Sequence, residues 1–433
     1  MKILAFTAGA ARMYCGSCLR DNALAAELKR QGHDVVLQPL YTPIRTDEAN
    51  VSQQRVFLNG ISVCLEQHAA YFRRAHPLLD RLWHADWMLR LASRTSIAVS
   101  PRLLGEMTVS MLRGEEGRQR QEIHRLTDWL AHEPPPDLVT LPNSLLIALA
   151  RPVREALGRP VCCTLQGEEL FLSQLLEPYR AQALELIRDH AGDVDGFVAV
   201  SAYAAEDWRS RLGIPAHRIQ VVPLGINLEG YPAPRPSSTG VFTVGYLARV
   251  APEKGLHVLA EAYIRLRRLT GAEPTALEVA GYLAPEHRRY LRGIARRLRQ
   301  AGLAREFHYH GELDRPRKIA FLSRLDAFSA PGTYDEPKGM SVLEAMAAGV
   351  PVVQPRRGAY PEILEAAPGG ILVEPDDPAA LAEALLDLWR DPQLAAELGR
   401  RGADGVRRHF SVSHMAARAI EAYAGIAGVR THA

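Results

Sequence analysis

Residues 326–349 read DAFSAPGTYDEPKGMSVLEAMAAG, and this stretch gives the clearest local indication of secondary structure in the sequence. Its first part, Asp326–Ala330, is a short apolar run of the kind that forms a buried β-strand. A proline and a glycine follow and favour a turn. Val342–Ala348 then combines residues of good helix propensity. The stretch therefore predicts a strand, a turn and a helix, with Gly339 and Ser341 at the N-terminus of the helix.

The same alternation of short apolar runs and helical patterns extends along the chain in both directions. The runs are continuously apolar, which is typical of strands buried on both faces of a sheet. In the first half they are Lys2–Phe6, Asp34–Leu40, Ile61–Leu65, Asp137–Leu141, Pro160–Leu165, Gly196–Val200 and Ile219–Val222. In the second half they are Val241–Tyr246, Leu277–Ala280, Glu306–His310, Asp326–Ala330, Val350–Gln354 and Gly370–Glu374. Strands that alternate with helices predict an α/β fold with parallel, doubly wound sheets.

A proline-rich segment interrupts this alternation near the middle of the chain. Tyr231–Ser238 carries three prolines at alternate positions, a composition that favours a semi-rigid connector. We therefore predict two Rossmann-like domains joined near residue 230, with sheets that face a central cleft. Because ligands bind such sheets at the carboxyl ends of the strands, the cleft is the expected binding site.

One segment, residues 68–130, contains no clear strand pattern and is predicted to be a helical insert packed on the first domain. Five large apolar side chains in it follow helical spacing, close to several arginines. They are Leu79, Leu82, Trp83, Trp87 and Leu91. The alternative interpretation of this face is an element that recognises an acceptor or a membrane surface.

The composition excludes several classes of protein. Of the 433 residues, 47% are hydrophobic and 23% are charged, which excludes disorder, collagen and coiled coil as the main state. A net charge of +3 excludes a strong global field for nucleic acid. No stretch approaches the roughly 20 apolar residues that span a bilayer. The N-terminal run fits a first strand better than a secretion signal, so we expect a cytoplasmic protein; peripheral contact with the inner face of a membrane is the alternative.

Polar residues around the predicted helix at 342–348 indicate a binding site for a phosphorylated ligand. Gly339 and Ser341 lie at the helix N-terminus, where free N–H groups and the helix dipole attract phosphate. Glu336 precedes the helix and Glu344 lies inside it, so two carboxylates can flank a ligand and accept hydrogen bonds from sugar hydroxyls. The alternative is an ordinary strand, turn and helix with surface glutamates.

A second stretch, residues 245–255, reads GYLARVAPEKG and again joins a strand end to a helix. Its two cations, Arg249 and Lys254, are suited to hold a diphosphate. Lys254 stands out because the chain has only five lysines.

Together these two stretches resemble the retaining nucleotide-sugar glycosyltransferases of family 4, which have the two-domain GT-B fold. Glu336 and Glu344 match the Glu-x7-Glu motif of that family, and Arg249 and Lys254 match its diphosphate site. The resemblance covers nearly the whole chain except 42–135. It extends to Gly16, Leu24, Leu28, residues 32–35, Val200, Ser201, residues 222–227, Gly358, Glu362 and residues 370–378.

The resemblance implies a role for each matching residue of the second domain. Glu336 would bind hydroxyls of the donor sugar, and Glu344 would bind the ribose of the nucleotide. The backbone N–H groups of Gly339, Met340 and Ser341 would hold the sugar–phosphate end of the donor.

It also implies how the remaining parts of the site are arranged. Arg249 and Lys254 would neutralise the departing diphosphate, and Gly16 would let the first-domain loop approach the donor phosphates. Gly311 and Leu313, at a strand end, would flank the base. The precedent of the fold predicts that a final helix at 410–433 crosses back to the first domain, which leaves 1–229 as the acceptor domain and 230–409 as the nucleotide-sugar domain.

The chain departs from the family pattern at two positions. Gln166 stands where family members usually have a histidine near the acceptor, and we predict that it orients the acceptor or a sugar hydroxyl by hydrogen bonding. Glu168 is then either a substitute carboxylate or a solvent-facing residue. Lys338 replaces a commonly aromatic position in the sugar pocket.

Several cysteine and histidine residues are candidates for redox chemistry or metal binding. Cys15 and Cys18 form a C-x-x-C. A redox role, or a zinc site completed by Cys162 and Cys163, competes with structural or substrate-lining thiols, which are the preferred interpretation. His33 is interpreted as a packed turn residue. His308 and His310 alternate along a strand, which is too little for a metal site, so no metal is expected.

The function predicted from the resemblance is transfer of a hexose-type sugar, with retention, from a UDP- or GDP-linked donor to an unknown hydroxyl acceptor. The donor is a co-substrate, so we expect no cofactor, no metal and no nucleic-acid partner. The alternatives are a non-catalytic GT-B module that binds nucleotide sugars and a GT-B sugar-nucleotide epimerase.

Overall fold

The computed structural model of the chain describes residues 1–9, 14–58, 100–232 and 240–428, which form two units. The first unit contains the described residues up to Val200, together with Ala204–Val222 and the chain from Ala416. The second contains Ser201–Tyr203 and Pro223–Met415. The main change of unit, between Val222 and Pro223, comes a few residues before the predicted domain boundary at 229 and 230.

The first unit is built on one parallel sheet. Its strands are β1 (Lys2–Thr7), β2 (Asp34–Pro39), β3 (Leu138–Leu141), β4 (Val161–Leu165), β5 (Gly196–Ala199) and β6 (Ile219–Val221). They lie in the order β2-β1-β3-β4-β5-β6. The helices around them are α1 (Gly16–Arg30), α2 (Pro101–Leu112), α3 (Arg120–His132), α4 (Ala150–Leu157), α5 (Glu169–Ser173), α6 (Tyr179–His190) and α7 (Ala202–Leu212). Every residue of β3, β4 and β5 is buried, because helices cover both faces of a doubly wound sheet.

The second unit repeats this plan. Its strands are β7 (Phe242–Leu247), β8 (Thr275–Ala280), β9 (Phe307–Tyr309), β10 (Ala327–Phe328), β11 (Val352–Pro355) and β12 (Gly370–Val373), in the parallel order β12-β11-β10-β7-β8-β9. Its helices are α8 (Leu256–Thr270), α9 (Arg288–Gln300), α10 (Arg315–Leu322), α11 (Met340–Ala347), α12 (Tyr360–Ala366), α13 (Pro378–Arg390) and α14 (Pro392–His409). The last helix of the described chain is α15 (Val412–Ala427).

Aspartate–proline pairs set the start of two of these helices. The Asp377 side chain accepts hydrogen bonds from the backbone N–H groups of Ala379 and Ala380 at 2.7 and 3.1 Å, and Pro378 begins α13. Asp391 and Pro392 begin α14 in the same way. Aspartate satisfies N–H groups that have no partner within the helix, and proline has the backbone angle of a first helical turn, so this sequence pattern determines where each helix begins.

The predicted α/β class with two doubly wound parallel sheets is confirmed. Every predicted strand within the described residues is present, with ends that shift by a few residues; Asp326–Ala330, for example, contains the shorter β10. The predicted strand at Ile61–Leu65 and most of the proline-rich connector lie outside the described residues. The insert predicted at 68–130 is helical in α2 and α3, and its tryptophan-bearing face lies outside the described part of the chain.

The end of the chain contributes to the first unit. From Ala416 onwards α15 belongs to that unit, and its Tyr423 hydroxyl lies beside the Arg20 guanidinium of α1. Ile426 covers β5 so closely that a Cβ on Gly196 would lie 2.7 Å from its Cγ1. Glycine at position 196 therefore allows the last helix to approach the sheet.

Candidate functional site

The strand order of the second sheet marks one place where a ligand can bind. The chain starts at β7, adds β8 and β9 on one side, and then returns to add β10, β11 and β12 on the other. The loops that follow β7 and β10 leave the same edge of the sheet in opposite directions. Such a point of reversal opens a crevice at the carboxyl ends of the strands.

The two loops are joined by close backbone contacts. The N–H of Thr333 donates to the carbonyl oxygen of Glu253 at 2.9 Å. Gly255 has a φ of 74°, and a Cβ at this position would lie 1.8 Å from the carbonyl oxygen of Pro331. Only glycine fits this conformation and this approach, so Gly255 fixes the position of the first loop against the second.

Lys254 from the first loop contacts Glu336 and Tyr334 from the second. The Lys254 Nζ donates to Glu336 Oε2 at 2.7 Å, and the Tyr334 hydroxyl donates to the same carboxylate oxygen. Lys254 also donates to the Tyr334 hydroxyl, and its Nζ lies 4.7 Å from the centre of the tyrosine ring. The structure thus brings two of the predicted site residues into direct contact through loops about 80 residues apart in sequence.

This contact controls the ionisation of Glu336. Burial raises the pKa of its carboxyl, but the charge and hydrogen bond of Lys254, the hydrogen bond of Tyr334 and the charge of Lys338 together lower that pKa to about 2. Glu336 is therefore an anion at neutral pH, able to accept hydrogen bonds from hydroxyl groups and not to donate a proton.

The lowered pKa predicts a loss of stability in acid. A carboxyl with a pKa of 4.5 when unfolded and about 2 when folded stabilises the folded state above pH 4.5. This contribution, about 3 kcal/mol, is lost as the pH falls from 4.5 through 2.

Urea denaturation at pH 7 and at about pH 3 measures this contribution, with Glu336→Gln as the control that lacks the titrating group. We expect wild type to lose about 2 kcal/mol more than Glu336→Gln between these two pH values. Equal losses in the two proteins would contradict the assigned contact.

Arg249 lies on the same loop and is held by a different partner. Its Nη2 donates to Glu253 Oε1 at 2.6 Å, and 39% of its side chain is exposed. The Tyr246 hydroxyl, at 3.3 Å from the carbonyl oxygens of both Arg249 and Lys254, holds the loop that carries the two cations. Arg249 is thus positioned with its guanidinium partly accessible to a ligand.

The helix N-terminus predicted at Gly339 and Ser341 is that of α11. Gly339 is its N-cap with a φ of 64°, and a Cβ at this position would lie 2.6 Å from Ile363 Cδ1, so any other residue there would be strained. Met340 and Ser341 form the first turn of the helix and are half-buried. The first N–H groups of a helix have no carbonyl partner within it, so this turn offers donors to an anion.

Glu344 has a partner that sequence reasoning did not predict. Its carboxylate is buried on α11 and accepts a hydrogen bond from the Lys318 ammonium of α10, which is also buried. Binding of a ribose by Glu344 stays a prediction. Gly311 and Leu313, predicted to flank the base, lie in the half-buried loop between β9 and α10, where the Gly311 carbonyl accepts from the N–H of Gly281 at 2.8 Å.

Gln166 belongs to the first unit, where it follows β4 and is 2% exposed. Its side-chain amide donates to the carbonyl oxygen of Pro142 at 2.6 Å and to Asp21 Oδ1 at 3.4 Å. Glu168 does not face solvent, because its buried carboxylate accepts from the backbone N–H groups of Gln166 and Ser144 at 2.8 and 2.9 Å. Both side chains therefore stabilise the loop after β4, and orientation of an acceptor by Gln166 stays a prediction.

These contacts predict how Gln166 variants behave. Gln166→Ala removes a buried donor from Pro142 and Asp21, and we expect it to lower the free energy of unfolding by about 1–3 kcal/mol. Gln166→Glu should be worse than Gln166→Asn, because it adds a carboxylate beside Asp21 and Glu168. Urea denaturation, turnover and nucleotide affinity of all three variants check this. Unchanged stability would contradict the buried placement, and a collapse of nucleotide affinity would contradict a donor site in the second unit.

Other residues considered from the sequence have structural partners. Gly16 is the first residue of α1 in the first unit. His33 Nδ1 lies 3.1 Å from the N-terminal amine. His308 and His310 both contact the carboxylate of Glu278. Across the described ranges, no group of three or more His, Cys, Asp or Glu side chains is arranged to hold a metal ion.

Sequence reasoning missed three residues of the site: Glu253, Tyr334 and Lys318. Glu253 lies next to Lys254 and four residues after Arg249, and this spacing was a signal for its ion pair. Tyr334 lies two residues before Glu336 and was interpreted only as part of a turn. Lys318 is one of the five lysines but lies far from either motif, and only the fold brings it to Glu344.

Comparison with known sequences identifies the family. The sequence profile of glycosyl transferases group 1 matches residues 231–404, and that of glycosyltransferase family 4 matches residues 105–229. The chain belongs to the family 4 glycosyltransferases. The resemblance to that family, which the sequence motifs indicated, is confirmed.

Two relatives show how much of the chain is similar to known proteins. Glycogen synthase of Mycobacterium tuberculosis is 30% identical over 254 residues, which cover 54% of this chain and 59% of that protein. The chain thus spans well under two thirds of the length of this relative. The GDP-mannose-dependent alpha-(1-6)-phosphatidylinositol monomannoside mannosyltransferase of Mycolicibacterium smegmatis is 29% identical over 63% of this chain and 70% of its own length.

Solved structures show that the fold is GT-B. HepE from Anabaena, in complex with UDP and glucose, has a TM-score of 0.66 at 16% identity and covers 97% of this chain and 98% of its own. The sucrose-phosphate synthase of Thermosynechococcus elongatus has a TM-score of 0.72 at 18% identity, with 98% of each chain covered. In the part of the chain that the structure describes, no helix is both long and apolar enough to cross a membrane.

Proposed function

We propose that the protein is a retaining glycosyltransferase that moves a hexose-type sugar from a UDP- or GDP-linked donor to a hydroxyl acceptor. One observation carries this proposal: Lys254 and Glu336 meet at the point where the strand order of the second sheet reverses. A cation suited to a diphosphate and an anion suited to sugar hydroxyls then lie side by side. The diphosphate and the sugar are adjacent parts of a nucleotide diphosphate sugar, so one donor molecule can contact both residues.

The comparisons support the two donor classes. The M. smegmatis relative is described as GDP-mannose-dependent, and HepE was solved with UDP and glucose. Family membership supports transfer over the two other predicted functions, the binding module and the epimerase.

In the proposed reaction the bond between the anomeric carbon and the diphosphate oxygen breaks. The acceptor oxygen bonds to that carbon on the face from which the diphosphate leaves, and a phosphate oxygen of the leaving group takes the acceptor proton. Arg249 and Lys254 stabilise the negative charge that develops on the diphosphate. The N–H groups at the start of α11 hold the phosphate, and Glu336 orients the sugar, so catalysis is positioning together with charge stabilisation.

Product analysis with a panel of UDP-, GDP- and ADP-sugars and hydroxyl acceptors tests this function. Formation of a glycoside whose anomeric configuration, read by NMR, equals that of the donor supports it. Nucleotide-sugar binding without any product indicates the module, and conversion of the donor into an epimer without acceptor indicates the epimerase. A product of inverted configuration would contradict the proposed retaining course.

Metal independence is a separate prediction. Because Arg249 and Lys254 supply the positive charge that a divalent cation supplies in other transferases, we expect EDTA to leave turnover unchanged. The measurement compares initial rates in EDTA with rates after addition of Mg²⁺ or Mn²⁺. Loss of activity in EDTA that either metal restores would overturn this expectation.

A further inference from the structure

We propose that Cys15 and Cys18 form a thiol–disulfide exchange site that reacts with a low-molecular-weight disulfide and closes an intramolecular disulfide at the start of α1. The thiols of Cys15 and Cys18 have no part in the proposed glycosyl transfer. The inference concerns the first unit and does not depend on the proposed function.

The helix geometry places the two thiols side by side. Cys15 is the N-cap of α1 and Cys18 is the third residue of its first turn. The side chains of these two positions face each other, as they do when an N-cap residue reaches the third N–H of a helix. The two thiols are in hydrogen-bond contact with each other. Sulfur atoms in contact need only a small approach to reach the bond length of a disulfide, about 2.05 Å.

The two cysteines differ in accessibility, which gives each a distinct part in the exchange. Cys15 is half-exposed and can meet a small disulfide from solvent, whereas Cys18 is 2% exposed. The N-terminus of a helix stabilises a thiolate, the form that attacks disulfides. The hydrogen bond with Cys15 and burial raise the pKa of Cys18, so Cys18 stays protonated while Cys15 reacts first.

The proposed exchange has two steps. The Cys15 thiolate attacks one sulfur of the external disulfide; the external S–S bond breaks, a mixed disulfide forms on Cys15, and one external thiolate leaves and takes a proton from solvent. Cys18 then attacks the Cys15 sulfur and gives its proton to the second external sulfur, which leaves as a thiol. The protein dithiol loses two electrons and the external disulfide gains them.

The other described cysteine pair provides an internal control. Cys162 and Cys163 are neighbours in β4, and both have no exposed surface. Successive side chains of a strand point to opposite faces, so these two thiols cannot join without unfolding. Burial raises the pKa of both. They should stay reduced under conditions that oxidise the Cys15–Cys18 pair.

Tryptic mapping of the full-length protein reads this reaction directly. Arg12 and Arg20 flank the motif, so residues 13–20, MYCGSCLR, form one peptide with both cysteines. The protein is incubated with oxidised glutathione, alkylated in denaturant and digested. We expect this peptide to lose two hydrogen atoms and to escape alkylation, with reversal by dithiothreitol, while the peptide that carries Cys162 and Cys163 is fully alkylated.

Two variants show which cysteine acts in each step of the exchange. Cys18→Ser should accumulate glutathione on Cys15, because the second thiol is missing, and Cys15→Ser should leave residues 13–20 free of both glutathione and disulfide. Thermal unfolding of each variant shows that it is folded. A wild-type peptide that stays reduced, a persistent wild-type mixed disulfide, or equal oxidation of Cys162 and Cys163 would each overturn the proposal.

Discussion

Replacing Lys254 by alanine is expected to lower kcat for sugar transfer by about a hundredfold to a thousandfold. The Lys254 ammonium donates directly to Glu336 in the site, and without it the departing diphosphate loses charge stabilisation. Glu336 also loses the partner that does most to lower its pKa. Arg249→Ala should have a similar effect, since the second cation of the loop serves the same leaving group.

Initial-rate kinetics on Lys254→Ala and Arg249→Ala measure this loss. The matched control is Arg297→Ala, which breaks a surface pair in the same unit, where Arg297 Nε lies 2.6 Å from Glu261 Oε1. The control should retain wild-type turnover, because exposed pairs contribute little. Turnover close to wild type in both site variants would refute the assignment of these cations to the leaving group.

Replacing Lys318 by methionine is expected to lower the free energy of unfolding by about 3–5 kcal/mol. Methionine fills much of the same volume, but the Glu344 carboxylate is then buried without its ammonium partner. The cost is therefore the desolvation of an unbalanced charge rather than a lost contact area. Urea denaturation at neutral pH measures the difference between the variant and wild type.

Two further proteins separate this explanation from a general loss of packing. Lys318→Met combined with Glu344→Gln removes both charges and should recover much of the lost stability. Arg400→Met breaks the exposed ion pair with Glu397, in which Arg400 Nη2 lies 2.8 Å from Glu397 Oε2. This variant should lower the free energy of unfolding by less than about 1 kcal/mol. A double variant as unstable as Lys318→Met would show that the cost comes from packing.

The fold could be predicted almost completely from local patterns. Strands buried on both faces are continuously apolar, and their alternation with helices leaves few topologies other than a parallel, doubly wound sheet. Local patterns do not define strand ends, because the hydrogen bonds that extend a strand depend on the neighbouring strand. Asp326–Ala330 was predicted as one strand, but only Ala327 and Phe328 pair with their neighbours as β10.

Part of the candidate site could also be predicted from local patterns. Arg249, Lys254 and Glu336 follow strands that lie side by side, so motifs at strand ends meet when the sheet forms. The pairing of Lys318 with Glu344 depends on how α10 packs near α11, which no local pattern encodes. The inward direction of Gln166 likewise depends on Pro142, which follows β3, and on Asp21, which lies in α1.

The position of α15 also bears on the order in which the protein is made. Its residues Ala416, Ala419 and Tyr423 are buried in the first unit, yet they follow the strands of both sheets in the sequence and are synthesised after them. The N-terminal sheet emerges first, but its core stays incomplete until the second unit has been synthesised. Domains of a growing chain usually fold one after the other from the N-terminus. Here the unit whose sheet is made before the other is completed after it, and a gene fragment that ends at residue 222 encodes a first-unit sheet without α15.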